Sequence, residues 1–201
     1  MCYSVCDPPL AQLVEQLPFK ELVVGSIPTG RTKFMPNKIT ALIVIDVQNF
    51  FAVEAATKLP QKIAEHIKSS HYDYVLFTTM RDDSSSNFKK ILNWEGPTKS
   101  PDVDIHPLLA PFAKPETTFE KTTYSAFKSA ACVDFLEHHH ITDLDLCGIN
   151  IDACVLASAF EAFDLGYRVR ILEDFSSISS FKQEYIDSAK VIIKRNLKRK
   201  D

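Results

Sequence analysis

Residues 144–166, LDLCGINIDACVLASAFEAFDLG, set the tightest limit on what this chain can fold into. A run of apolar β-formers (144–149) gives way to a short turn (150–152). A helical pattern (153–165) follows and is closed by Gly166. Asp152 reads as the helix N-cap and Gly166 as the residue just past its end. Cys154 then falls on the first turn of the helix. There the backbone N–H groups lack internal partners, and the macrodipole places roughly half a positive charge. A thiol held at such a point ionises more readily, so the sequence predicts a thiolate available near neutral pH. The competing reading is a small buried residue at a helix start.

The same strand and helix signals alternate along the chain. Residues 40–46 (TALIVID), 74–79 (YVLFTT), 117–121 and 167–172 (YRVRIL) read as strands. Residues 59–69, 128–138 and 181–197 read as helices, and 81–101 as a long polar segment. Continuous apolar runs suit parallel strands covered on both faces. The expected fold is therefore α/β: a three-layer α/β/α sandwich with a central, mostly parallel sheet. In open sheets of this kind ligands bind beyond the carboxyl ends of the strands. Asp46, Lys121 and Cys154 each fall at such an end. Singly, Asp46 reads as a cap and Lys121 as a solvated lysine. Together, a thiol, a carboxylate and a lysine at one sheet edge point to nucleophilic chemistry.

Composition narrows the partners. The 201 residues suffice for one domain with a sizeable core, and a formal charge of −3 gives no pull toward nucleic acid or a membrane surface. No apolar run approaches the ~20 residues of a membrane span. Five cysteines with no CxxC pair suit a reducing compartment, so a cytoplasmic protein is expected. Residues 1–34 read differently, with four of the eleven prolines and no periodicity. Their codons can be written to resemble the arms of a transfer RNA gene. The expectation is a non-native or disordered extension, translated from upstream sequence, with Met35 as the start. His138, His139 and His140 read as a solvated helix end, and the closing KRNLKRK as cations complementing a helix dipole.

Four motifs, in order, resemble the isochorismatase-like cysteine hydrolases, which include nicotinamidases, N-carbamoylsarcosine amidase and ureidoacrylate amidohydrolases. They are ALIVIDVQNFF (41–51), FEKTTYSAF (119–127), GINIDACVLASAFEAFDLGYRV (148–169) and LEDFSS (172–177). The resemblance implies a triad of Asp46, Lys121 and Cys154. It also implies a cis peptide before Asn150 and an oxyanion hole from the backbone N–H groups of Asn150 and Cys154. Phe50, Phe51, Arg81, Trp94 and Tyr124 are placed by position as pocket residues, with a structural ion pair as the alternative for Arg81. The implied substrate is a small amide or carbamoyl compound, and the implied assembly a homo-oligomer, dimer or tetramer.

The departures matter as much. Nicotinamidases carry a metal-binding Asp-x-His element. Here the corresponding segment, MRDDSSSNFKKILNW, has no histidine, and Asp82 and Asp83 alone make a weak ligand set. No metal and no cofactor are therefore expected. Ile151 stands where many relatives have threonine. Three other readings compete: a non-catalytic binding or assembly module of the same fold, a nicotinamidase with an atypical metal site, and a redox protein pairing Cys147 with Cys154. The last is disfavoured because Cys147 on the preceding strand points away.

Overall fold

A computed structural model of the chain describes residues 38–197. The expectation for residues 1–34 lies outside them. Strand β1 (Thr40–Ile45) occupies the middle of a five-stranded sheet. It pairs with β2 (Tyr74–Met80) on one side and β4 (Asp143–Ile149) on the other. β3 (Thr118–Lys121) and β5 (Arg168–Ser177) form the two edges, giving the order β3-β2-β1-β4-β5 with every pairing parallel. The centre falls to β1 because it is apolar on both faces: Ala41 through Ile45 are fully buried.

Alternation along β1 divides the core into two layers. Ala41, Ile43 and Ile45 pack with Leu136 of α3 (Ala130–His138), Ala159 of α4 (Leu156–Asp164) and Ile193 of α5 (Gln183–Asn196). Leu42 and Val44 pack with Ile63 of α1 (Leu59–Ser69) and Phe88 of α2 (Asn87–Leu92). Truncating a fully buried residue such as Ile43 to alanine costs about 2–5 kcal/mol. Cys147 belongs to the α1 layer and Cys154 to the opposite one, and both are free thiols.

Three boundaries differ from the sequence reading, each for a local reason. The polar segment contains α2, started by Ser86, whose Oγ accepts from the Phe88 N–H at 3.1 Å. β5 continues to Ser177. Its partner register jumps from Leu146↔Ile171 to Gly148↔Ser176, so residues 172–175, with Glu173 and Asp174 among them, bulge out and hide the strand pattern. Asp152 is exposed and does not cap. Asn150 does so instead, its carbonyl accepting from the Ala153 and Val155 N–H groups at 3.1 Å each. A wide π-helical turn, Ile151–Val155, precedes α4. Gly166, at φ +90°, closes α4 as its sequence position suggests.

Gly148 is a position only glycine fills. Its φ is +127°, and a Cβ there would lie 2.1 Å from the Ile45 carbonyl oxygen. β4 thus leaves no room for a side chain where β1 hands over to Asp46.

Candidate active site

Asp46 leaves β1 in the left-handed region, at φ +52°, a conformation costing an L-residue about 1–2 kcal/mol. Its N–H still bonds the Thr78 carbonyl on β2, at 3.1 Å. The side chain turns into the sheet edge and is fully buried. Thr78 Oγ1 donates to one carboxylate oxygen at 2.8 Å, and Lys121 Nζ to the other at 2.6 Å. Lys121 ends β3, and its side chain, like that of Asp46, is 1% exposed. The ammonium also donates to the Thr123 carbonyl at 2.8 Å and to Cys154 Sγ at 3.7 Å. The strand ends therefore bring the expected carboxylate, lysine and thiol into contact.

A buried ion pair survives only when its polar atoms are satisfied, and this one has its neighbours in place. Burial pulls the Lys121 ammonium down, but Asp46 and the sulfur outweigh it, and the net shift is upward. Lysine is held charged. The Cys154 thiol is pushed up to about 12, first by burial and then by the Asp46 carboxylate, with Lys121 only partly opposing. This corrects the expectation of a ready thiolate. The helix-start argument is sound for an exposed thiol, but here burial penalises the thiolate and the Asp46 carboxylate beside the sulfur adds to that. The resting arrangement is thiol beside base.

Two buried residues that the sequence reading passed over set this geometry. Ser158, one turn after Cys154 and fully buried, donates to the Cys154 carbonyl at 2.7 Å and accepts from the Ala126 N–H at 3.0 Å. It fastens the thiol's turn to the segment following Lys121. Its signal was a serine four residues after the cysteine, the spacing of back-bonding to a helical carbonyl. Gln48, also fully buried, accepts from the Met80 N–H and donates to the Met80 and Val103 carbonyls. It ties the segment after β1 to the end of β2. Its signal was an amide inside ALIVIDVQNFF.

Asn150 Oδ1 accepts from the N–H and Oγ of Ser179, linking the turn after β4 to the segment after β5. The Ile149–Asn150 peptide is cis. Phe51 and Trp94 stand nearly parallel, 10° apart with centroids at 6.3 Å, and Phe50 meets both edge-on. Phe88 continues the aromatic wall from Trp94 (5.5 Å) to Tyr124 (4.6 Å). Arg81 takes its structural alternative: it pairs with Glu120 at 2.7 Å and donates to the Thr98 carbonyl at 2.8 Å.

Asp83 starts the α2 segment by accepting from Ser85 and Ser86. Asp82 is buried; Oδ2 accepts from the Gly96 N–H, and Oδ1 has no hydrogen-bond partner among the described residues. One orphaned oxygen does not make a metal site. Among the described residues no three His, Cys, Asp or Glu side chains cluster in a way that would hold an ion. The residues present do not fit the Asp-x-His metal set, since residues 80–94 hold no histidine. The histidine run is less solvated than its sequence suggests, since His139 packs against Phe135 and bonds the Tyr74 hydroxyl at 3.0 Å.

The Isochorismatase domain family model matches residues 40–191. Nicotinamidase 3 of Arabidopsis thaliana is 29% identical over 158 residues, spanning 74% of this chain and 78% of the relative. The solved pyrazinamidase/nicotinamidase of Streptococcus mutans superposes with a TM-score of 0.68 at 25% identity, over 79% of this chain and 97% of that one. N-carbamoylsarcosine amidase of Thermoplasma acidophilum superposes with a TM-score of 0.63 at 18% identity, over 79% and 92% of the two chains. That last likeness is one of fold.

Proposed function

The chain belongs to the isochorismatase family, and we propose that it is a metal-independent cysteine amidohydrolase acting on a small amide or carbamoyl compound. The observation that carries this reading is the buried triangle of Asp46, Lys121 and Cys154, with the ammonium 2.6 Å from the carboxylate and 3.7 Å from the sulfur. Folding alone has little use for a thiol beside a buried ion pair, because such pairs gain little stability over apolar packing.

The chemistry follows from the resting proton positions. The Cys154 proton passes to Asp46 as the sulfur attacks the carbonyl carbon. Lys121 stays charged and offsets the negative charge that moves between carboxylate and sulfur. The tetrahedral oxyanion is received by the backbone N–H groups of Asn150 and Cys154. Asp46 returns the proton to the departing nitrogen, so the C–N bond breaks and a thioester remains. Water, deprotonated by Asp46, then cleaves the thioester and frees the thiol. Phe51, Trp94 and Tyr124 wall the substrate, and the near-parallel Phe51 and Trp94 rings favour a planar group. Arg81 remains available to an anionic substrate group only by giving up Glu120. A cytoplasmic homo-oligomer is part of the same reading.

The test is ammonia release from nicotinamide, pyrazinamide, carbamoyl amino acids, ureido acids and biuret, with Cys154→Ala alongside. Release that persists in chelator and disappears in the variant supports the reading. No release from any amide, together with a Cys154 inert to iodoacetamide, moves the assignment to a non-catalytic module of the fold.

A further inference from the structure

Beside the triad lies a surface feature that folding does not explain. α2 carries Ile91 and Leu92 at its end, 73% and 57% exposed, and Tyr124 opposite them is 45% exposed. With Asn87, Phe88 and Thr123 they line a groove of about 260 Å³. Isolated apolar residues at a surface are ordinary, but several gathered around one concavity mark a binding surface.

The groove borders the triad through one shared residue. Thr123 lines it, and the Thr123 carbonyl accepts from Lys121 Nζ, which itself reaches Cys154 Sγ. Phe88 forms its floor and joins the aromatic wall that runs through Trp94 to Phe51. Its size decides among occupants. A stable protein interface needs about 800 Å² from each partner, far more than six residues around so small a hollow supply. The space suits a short alkyl chain or a single ring.

We infer that this groove is a subsite for an apolar substituent on the substrate, so that the preferred amides carry a short alkyl or aryl group rather than only polar atoms. The inference rests on Cys154 being the reacting thiol, as in the proposed function, but not on hydrolysis.

Alkylation tests it without a known substrate. The full chain is treated with iodoacetamide and its N-ethyl, N-butyl and N-benzyl derivatives. Cys154 sulfur displaces iodide, forming C–S as C–I breaks and passing its proton to Asp46. The Cys154 rate is read by mass mapping and divided by the rate of the same reagent with free cysteine. The expected result is a normalised rate rising with chain length, up to about fourfold per buried methylene. Ile91→Gln combined with Leu92→Gln, both at exposed positions, flattens that rise. Val191→Gln on α5, equally exposed, leaves it intact. Three results overturn the inference: no rise in the native chain, a rise unchanged by the groove variant, or no alkylation of Cys154 at all. A flat profile with a groove variant of lower mass in sedimentation assigns the groove to a second copy and also overturns it. A rising profile with no amide hydrolysed keeps the subsite and removes the hydrolase reading; hydrolysis with a flat profile does the reverse.

Discussion

The two ends of the sheet both gather charge, and they use it in opposite ways. At the amino ends of the strands, Arg168 grips Asp143 and Arg170 grips Asp145, each through two guanidinium nitrogens. Tyr72 donates to Asp145 at 2.8 Å, and His66 meets Tyr72 at 3.0 Å, around a hollow of about 400 Å³. At the carboxyl ends the pair Lys121 and Asp46 is sealed beside a thiol, with Arg81 and Glu120 paired in the open beside it. The arginines are 47% and 65% exposed, the lysine 1%. Water screens the first set, so its pairs hold the surface together cheaply. The second set is unscreened, so each charge there acts strongly on its neighbours' protons.

Breaking the sealed pair has the largest expected effect. Lys121→Met leaves a carboxylate buried without its cation and costs about 3–5 kcal/mol in urea unfolding. It also abolishes amide hydrolysis. A loss under 1 kcal/mol with activity kept would make the two ends equivalent.

Alkali sharpens the contrast next. Cys132 and Cys154 are pushed up to about 12 by burial, and Cys147 is raised further by the same cause, from an ordinary 9.0. Protons held more tightly in the folded state give stability that is complete below the unfolded value and lost as pH rises above it. From pH 9 to 10 each thiol withdraws about 1 kcal/mol, roughly 3 kcal/mol for the three, because the unfolded thiols are only half ionised at the start of the interval. At the other end Arg168 and Arg170 are raised from an already high ordinary value by their carboxylate partners and stay charged across that interval, while burial and Asp145 raise the Tyr72 hydroxyl. Chemical unfolding across that interval, repeated with Cys132→Ala and Cys147→Ala, isolates the share of Cys154.

Ser158→Ala comes third. It strands the buried Ala126 N–H and costs about 1–3 kcal/mol. Because the hydroxyl fastens the thiol's turn to the lysine's segment, kcat falls more than KM changes, and Ser158→Thr recovers part of it. Smallest is Arg170→Gln at the exposed end, worth about 0–1 kcal/mol by thermal unfolding, with Cys154 alkylation unchanged.

Much of this was legible in the chain, for reasons that differ by residue. Ala41 through Ile45 is apolar without interruption, as an inner strand requires. Leu59–Ser69 has one apolar stripe and kept its predicted bounds. The three strand-end residues stood out because a parallel sheet collects such ends at one edge. α2 was obscured because only Phe88 of its six residues is buried, leaving no stripe to read. β5 lost its pattern at the bulge. Asp152 looked like the cap, but the widened turn moved that role back to Asn150. The protonation of Cys154 was hidden most completely, since it depends first on the burial of the turn and then on a carboxylate more than a hundred residues away.

The central claim is that Asp46 holds the Cys154 proton at rest and takes it during reaction. It is tested most directly by the pH dependence of Cys154 alkylation in Asp46→Asn beside the native chain. Removing the carboxylate removes a group that raises the thiol while leaving Lys121 to stabilise the thiolate. The account predicts alkylation at lower pH in the variant, with amide hydrolysis lost. A thiol that ionises no more easily, or hydrolysis that survives, would contradict it.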